Sequence, residues 1–271
     1  MHACTAIWAI GIATMKGGLR DRLIQGLLLA GFFFLFSTMV FSGFSMRQPM
    51  EVAINYSLAT VQILAVLITL FLGLHLLSKE IENRAGHGVL TQPLGRAAYV
   101  LGKFFGLTLL CCIVVAFLAV CACAGILLVQ AGTQGAAPIP WEYFGLALVG
   151  ILLISLLLGA ASLLFCSVAT SAILPFLATI ALWVIGNSTQ TVKNYLEANI
   201  ADKAMTPQLK AIITGAYYVF PNLSLLDFKV YAIYGLPLAP AQVCFALTYG
   251  LAYTAVLLAL ATGLFQKRDM L

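Results

Sequence analysis

Six stretches of this chain are long, apolar and almost bare of ionised side chains: residues 23–44, 57–77, 97–130, 143–168, 173–186 and 241–265. A helix that crosses the hydrocarbon core of a bilayer needs about 20 mostly apolar residues. Lipid offers no partner for a backbone N–H or C=O, so such stretches must close their hydrogen bonds internally, as helices. The chain is therefore predicted to be an all-α, polytopic membrane protein with six transmembrane helices. Composition removes the other classes. Of 271 residues, 62% are hydrophobic and 8% charged, where a soluble domain carries about 25% charged residues. Fourteen bases and nine acids cannot cover the surface of a soluble fold of this length. Disordered chains, for their part, are poor in large apolar residues. No polar stretch is long enough to hide a second domain, so 1–271 reads as a single transmembrane domain.

Lys and Arg set the orientation, because cytoplasmic loops carry the excess of positive charge. With the N-terminus inside, nine of the fourteen bases face the cytoplasm against four acids, and five bases face outward against five acids. The whole net charge of +5 then lies on the inner side, and an even number of spans puts both termini there. The start of the chain is not a secretory signal, since Lys16, Arg20 and Arg22 follow its apolar run rather than precede it. The tail after Gln266 carries no prenylation signal.

Three segments fall outside the span count. Residues 1–22 place Ile7, Ile10 and Met15 at near-helical spacing ahead of the basic cluster, and read as an N-terminal interfacial helix leading into the first span. Residues 78–97 are the most charged stretch of the chain. Residues 187–240 form a long outer connection. There Val192, Tyr195, Leu196 and Ile200 share one helical face, and Leu209, Ile212, Ala216 and Phe220 share another after the start signal Thr206-Pro207. The short fifth span is thus expected to be followed by two short amphipathic helices before the last span. The third span, 34 residues long, reaches about 50 Å at 1.5 Å per residue. One of its ends must project from a core of about 30 Å.

The chemistry that is missing narrows the function. No HExxH, Gly-x-Ser-x-Gly or Gly-x-x-x-x-Gly-Lys-Ser/Thr motif occurs. The seven cysteines lie mostly inside apolar runs and read as small hydrophobes, with no disulfide framework and no metal-ligand spacing. His75, Glu80, Glu82 and His87 match no metal-site spacing either, so no metal and no cofactor is expected on this chain. His75 and Lys103 are the ionisable exceptions within the spans, and both sit near the cytoplasmic edge. Ion-coupled carriers place such groups at the midplane. Energy for uphill movement is therefore expected from another chain. Gly102-x-x-x-Gly106 and Ala255-x-x-x-Ala259-x-x-x-Gly263 are small-residue stripes that let helices approach closely, within the chain or between copies.

The charged inner loop carries a family likeness. Glu80-Ile81-Glu82, then Leu90-Thr91-Gln92-Pro93-Leu94-Gly95-Arg96, then Gly102-Lys103 entering the third span resembles the type-2 exporter class of ABC transporter permeases. Arg84-Ala85-Gly86 departs slightly from the family pattern after the acidic pair. The run from Tyr217 through Phe220, Pro221 and Asn222 to Asp227 looks like the aromatic-Pro-Asn segment of one branch of that family. The resemblance covers essentially the full length. It implies a permease subunit in the bacterial inner membrane that forms a translocation path as a homodimer or heterodimer. ATP and magnesium would bind separate cytoplasmic ATPase subunits, a periplasmic partner is possible in such systems, and no nucleic acid is involved.

On that resemblance, Glu80, Glu82, Arg84, Leu90, Pro93, Arg96, Gly102 and Lys103 are expected to couple the chain to the ATPase. Tyr217, Phe220, Pro221, Asn222 and Asp227 are expected to form an extracytoplasmic gate segment. The alternatives are a non-transporting membrane scaffold or assembly factor of the same fold, and an ion-coupled carrier or channel.

Overall fold

A computed structural model of the chain describes residues 2–45, 48–73, 96–133, 139–169, 171, 173–197, 215, 217 and 220–267. Among these residues the secondary structure is helical throughout. The elements are α1 (His2–Leu19), α2 (Arg22–Phe36), α3 (Thr38–Gly43), α4 (Pro49–Gly73), α5 (Arg96–Gly132), α6 (Trp141–Val168), α7 (Ile173–Glu197), a 3-10 turn (Leu223–Leu226), α8 (Lys229–Tyr234) and α9 (Pro240–Lys267). Six of them are long and apolar enough to cross a membrane, with α2 and α3 counted as one span.

Helix ends follow local chemistry. Asp21 accepts the N–H of Leu23 at 2.8 Å and caps α2. Pro49 opens α4 with Glu51 in its first turn. These start signals place the second span eight residues ahead of the apolar run at Ser57. The first span is interrupted at Ser37, whose hydroxyl donates to the carbonyl of Phe34 at 2.7 Å and lies 2.9 Å from the Tyr56 hydroxyl. Gly235, at φ 61°, ends α8 in the left-handed region.

The fifth span corrects an expectation. It does not stop at Gly186 with a separate amphipathic helix after it, but runs as one helix to Glu197. The polar run that suggested a stop feeds its own helix. Asn187 donates to the carbonyl of Trp183 at 3.0 Å, Ser188 to that of Val184 at 2.9 Å and Thr189 to that of Ile185 at 2.6 Å. The face of Val192 and Tyr195 is therefore the exposed end of α7. The second expected amphipathic helix, from Thr206, lies almost wholly outside the described residues.

α1 and α2 run in the same direction as α5 and flank it in turn. Ile10 lies beside Gly102, Thr14 beside Gly106 and Gly18 beside Leu110; Gly31 then lies beside Leu118, and Leu35 beside Gly125. The N-terminal helix is thus docked lengthwise on the start of the third span, with Trp8 and Phe105 rings 5.3 Å apart. α4 and α6 run the opposite way. Thr69 meets Cys111 at 3.4 Å, and Gly159 faces Leu107. Leu58, Leu107, Leu118 and Leu157 are fully buried in the main core. A smaller cluster of Val100, Leu163, Cys166 and Phe265 closes the end where α5 begins and α9 ends. Lipid tails are as apolar as these side chains, so packing density rather than water exclusion holds the helices together.

Candidate functional site

Two regions carry the residues singled out from the sequence, one at each end of the bundle. At the end formed by α1, the start of α5 and the end of α9, Gly102 and Gly106 let two backbones meet. A methyl on Gly102 would stand 2.9 Å from Cβ of Ile10 and 3.2 Å from the carbonyl oxygen of Ile7. One on Gly106 would stand 2.6 Å from the carbonyl oxygen of Gly11. Lys103, the next residue after Gly102, is only 7% exposed. Its ammonium lies 5.5 Å from the centroid of the Tyr99 ring, within cation–π range. Tyr99 in turn stacks on Phe265 of α9, with centroids 6.0 Å apart. Gly102 therefore joins the start of α5 to α1, while Tyr99, under the Lys103 ammonium on the same helix, joins it to α9. Arg96 opens α5, though its side chain is outside the described residues, as are Glu80, Glu82, Arg84, Leu90 and Pro93.

The opposite end holds an irregular segment inside the bundle. After Phe220 the chain passes through Pro221 and Asn222, makes the 3-10 turn and reaches Asp227. Leu223 and Leu226 are fully buried, and Asn222 is 3% exposed. Glycines on three helices make room. Gly150 of α6 faces the carbonyl oxygen of Leu226; Gly186 of α7 faces Leu223 and the carbonyl oxygen of Pro221; Gly250 of α9 faces the Leu226 side chain. Gly150 is nine residues in from Trp141, Gly250 ten in from Pro240, and Gly186 eleven back from Glu197. At 1.5 Å per residue the turn is seated about 15 Å in from these helix ends. Backbone of this kind survives at membrane depth only where protein covers it.

Hydrogen bonds tie the turn to α7 and α9. The Asn222 backbone N–H donates to the Tyr249 hydroxyl of α9 at 2.9 Å. Its Nδ2 donates to Oε1 of Gln190 on α7 at 2.7 Å, and Gln190 Nε2 donates to Oδ1 of Asn194 at 3.0 Å. Ser224 Oγ donates to the carbonyl oxygen of Asn187 at 2.9 Å. Among the described residues, two buried side-chain polar atoms have no partner: the indole Nε1 of Trp183 and the Oδ1 of Asn222. Asp227 serves a local purpose, accepting the N–H of Lys229 at 3.2 Å and pairing with its ammonium at 3.3 Å. The Lys193 ammonium of α7 lies 4.9 Å from the ring centroid of Tyr217.

Of the five residues expected to form a gate, the structure joins Phe220, Pro221 and Asn222 in one buried segment, sets Asp227 at its exit and leaves Tyr217 beside α7. Sequence reasoning missed the residues that hold the segment: Gly150, Gly186, Gly250, Gln190 and Tyr249. One signal for them was present. Trp183, Asn187, Gln190 and Asn194 follow helical spacing and form a polar stripe on one face, legible once α7 is allowed to run past Gly186.

No curated protein matches the chain. The ABC-2 family transporter protein family matches it over residues 2–270. With six apolar helices of spanning length and a match over nearly its whole length, this chain belongs to the ABC-2 transporter family and is the membrane-embedded, non-catalytic permease component of an ABC system.

Proposed function

We propose that this permease works as an ATP-driven exporter subunit in the bacterial inner membrane, with both termini cytoplasmic, and that two copies, or this chain and a homologue, enclose the path. Separate ATPase subunits bind ATP and magnesium and push on the 78–97 loop. The enclosed turn at the far end acts as the extracytoplasmic gate. The observation that carries this reading is the separation of roles along one bundle. The loop with the family pattern feeds directly into the start of α5, where Gly102 meets α1 and Tyr99, under the Lys103 ammonium, meets Phe265 of α9. The other end is stopped by a turn seated among α6, α7 and α9. A push on α5 therefore moves helices that share a packed core with the helices holding the turn. A ligand that binds one conformation more tightly shifts the population toward it, and ATP bound between closed motor subunits supplies that difference. The exposed Ala255, Ala259 and Gly263 of α9, the last with nothing within 4 Å, offer a second copy a close approach.

The direct test is co-purification. The chain should bring down a phosphate-loop ATPase at about one to one. If it comes down alone, or with a stable assembly that never hydrolyses ATP, a scaffold is the better reading. In liposomes, Glu80→Ala with Arg96→Ala should uncouple ATP hydrolysis from transport. Full coupled activity in that variant removes the coupling assignment. Labelling of a cysteine placed at Lys203 should occur from outside the cell; cytoplasmic labelling reverses the orientation.

A further inference from the structure

The N-terminal helix and the first span meet at a corner on the outside of the bundle. Gly18 of α1 is packed against Leu72 of α4 and Leu110 of α5, and Gly31 of α2 against Leu64 and Leu118 of the same two helices. One side of the α1–α2 pair is therefore closed. Lys16 lies two residues from Gly18, and Arg22 nine from Gly31. At 3.6 residues per turn, both spacings put the cation on the opposite side of its helix. Both are exposed, as is Arg20 between them. Asp21, the one acid at this end of the bundle among the described residues, caps α2 through the N–H of Leu23. Gly17 and Gly26 stand before and after the corner, and nothing lies within 4 Å of a methyl placed on either. The corner thus collects three exposed cations with a bare glycine on each side of it.

Along α2 from the corner the surface changes character. Arg22, Gly26, Leu29, Phe33 and Phe36 fall on one face by helical spacing. Leu29, Phe33 and Phe36 are each 62% exposed, and no ionisable side chain occurs between Arg22 and Arg47. Phe33 stands eleven residues from Arg22, about 16 Å along the helix. That is close to half of a hydrocarbon core of about 30 Å, the share of one leaflet. The surface therefore matches one amphipathic molecule, with an anion at the corner and a single leaflet's length of apolar chain beside α2. Basic side chains next to a span attract anionic lipid, and the arginine fork fits a phosphate. A free phosphate would use the cations and leave the apolar face uncovered. A second copy applied through this same face about a twofold axis would set the three cations against their own counterparts. We propose that the α1–α2 corner holds an anionic phospholipid of the leaflet on that side, its phosphate on Lys16, Arg20 and Arg22 and an acyl chain along Gly26, Leu29 and Phe33. The bound lipid fastens the joint between the helix docked on α5 and the first span. This inference goes beyond the permease reading and does not depend on it.

The test uses the whole chain in nanodiscs. Its three tryptophans, Trp8, Trp141 and Trp183, are replaced by phenylalanine. One reporter is then added, Leu29→Trp on the proposed site or Leu251→Trp on an exposed position of α9. Emission is followed as phosphatidylglycerol or phosphatidylcholine with brominated, quenching acyl chains replaces ordinary phosphatidylcholine. At the Leu29→Trp reporter, half-maximal quenching should need at least about fivefold less phosphatidylglycerol than phosphatidylcholine. The α9 reporter should not distinguish the two lipids. Lys16→Gln/Arg20→Gln/Arg22→Gln should abolish the preference. If that variant does not fold, salt gives the same reading with the cations in place. Going from about 0.1 M to about 1 M shortens the Debye length from about 10 Å to about 3 Å and should bring the two lipids within about twofold. Equal quenching by the two lipids at Leu29→Trp overturns the proposal, as does an equal preference at both reporters. So does a preference that the triple substitution or high salt leaves intact. A Leu29→Trp reporter that neither lipid quenches would show the face covered by a second copy, and overturns it too. The ATPase is absent from this experiment, so its outcome and that of the co-purification stand independently.

Discussion

At one end of the bundle a helix backbone lies against a helix backbone; at the other, an irregular turn lies against three helices. Glycines admit both contacts, but the two are built differently. Between α1 and α5 the approach is steric, with Ile7, Ile10, Gly11 and Thr14 filling the space over Gly102 and Gly106. Around the turn the approach is steric and polar, with Asn222 and Ser224 bonded to α9 and α7. A contact made of interlocked backbone has no partial state, because helices that separate by a methyl radius lose their dispersion contacts together. A turn held by a few hydrogen bonds can leave its seat while the helices remain folded. The first construction suits an element that must transmit a push, and the second suits one that must open.

Replacing each glycine by alanine sharpens this contrast, because alanine favours the helix by about 0.5–1 kcal/mol wherever there is room. The largest effect is expected for Gly106→Ala. The new methyl meets the carbonyl oxygen of Gly11 at 2.6 Å, and backbone cannot rotate away. Overpacking of this kind costs roughly 1–3 kcal/mol, read as a lowered unfolding midpoint in mixed micelles. A neutral result there would mean that α1 is not docked on α5. Gly150→Ala comes next. Its methyl strikes the Leu226 carbonyl, so the turn rather than the helix pair should yield. A cysteine at Leu226 in that background should react with a thiol reagent at least tenfold faster, with a smaller loss of stability, on the order of 1 kcal/mol. Equal labelling with and without the alanine would show that the turn is as fixed as the α1–α5 crossing.

Asn222→Leu removes the bond to Oε1 of Gln190, whose Nε2 keeps its bond to Asn194. Hydrogen bonds between membrane helices average about 0.6 kcal/mol, and a modest drop in unfolding midpoint of that order is expected. A loss several times larger would move this end of the bundle into the rigid class. The smallest effect is expected for Gly263→Ala. Nothing lies within 4 Å of a methyl there, so the isolated chain should gain up to about 1 kcal/mol from helix propensity. Any loss of self-association in the same variant would locate a partner's helix on that face.

Much of this fold was readable from apolar runs, but the limits of each run were not equally so. The first, third, fourth and sixth spans lie close to where their apolar stretches lie, because the need for spanning helices to satisfy their own backbone leaves one solution. The second began eight residues early, where Pro49 and Glu51 are helix-start signals that an apolar window discards. The fifth ran eleven residues long because Asn187, Ser188 and Thr189 donate to carbonyls one turn back. Sequence alone treats such residues as breakers and cannot tell whether their side chains will turn inward to the helix.

The candidate site divides in the same way. Phe220, Pro221 and Asn222 were marked by a family pattern, but that pattern could not say that the turn they open is enclosed among α6, α7 and α9, about 15 Å in from the helix ends. Gly150, Gly186 and Gly250 lie 36 and 64 residues apart and share no motif. They have a common purpose only when α6, α7 and α9 bring them around Leu223 and Leu226. The two small-residue stripes looked alike on paper. One is buried at a helix crossing, and the other points out of the chain.

The sequence by itself determined that the chain lives in a membrane, crosses it six times and has its most charged stretch between the second and third spans. Those properties depend on single segments meeting lipid or water. Tertiary structure alone decided which glycines are closed and which are open, and where the irregular turn comes to rest. It also decided which polar atoms are left unpaired inside the bundle. Each of these is a relation between helices far apart in the chain, and close packing settles it one methyl group at a time.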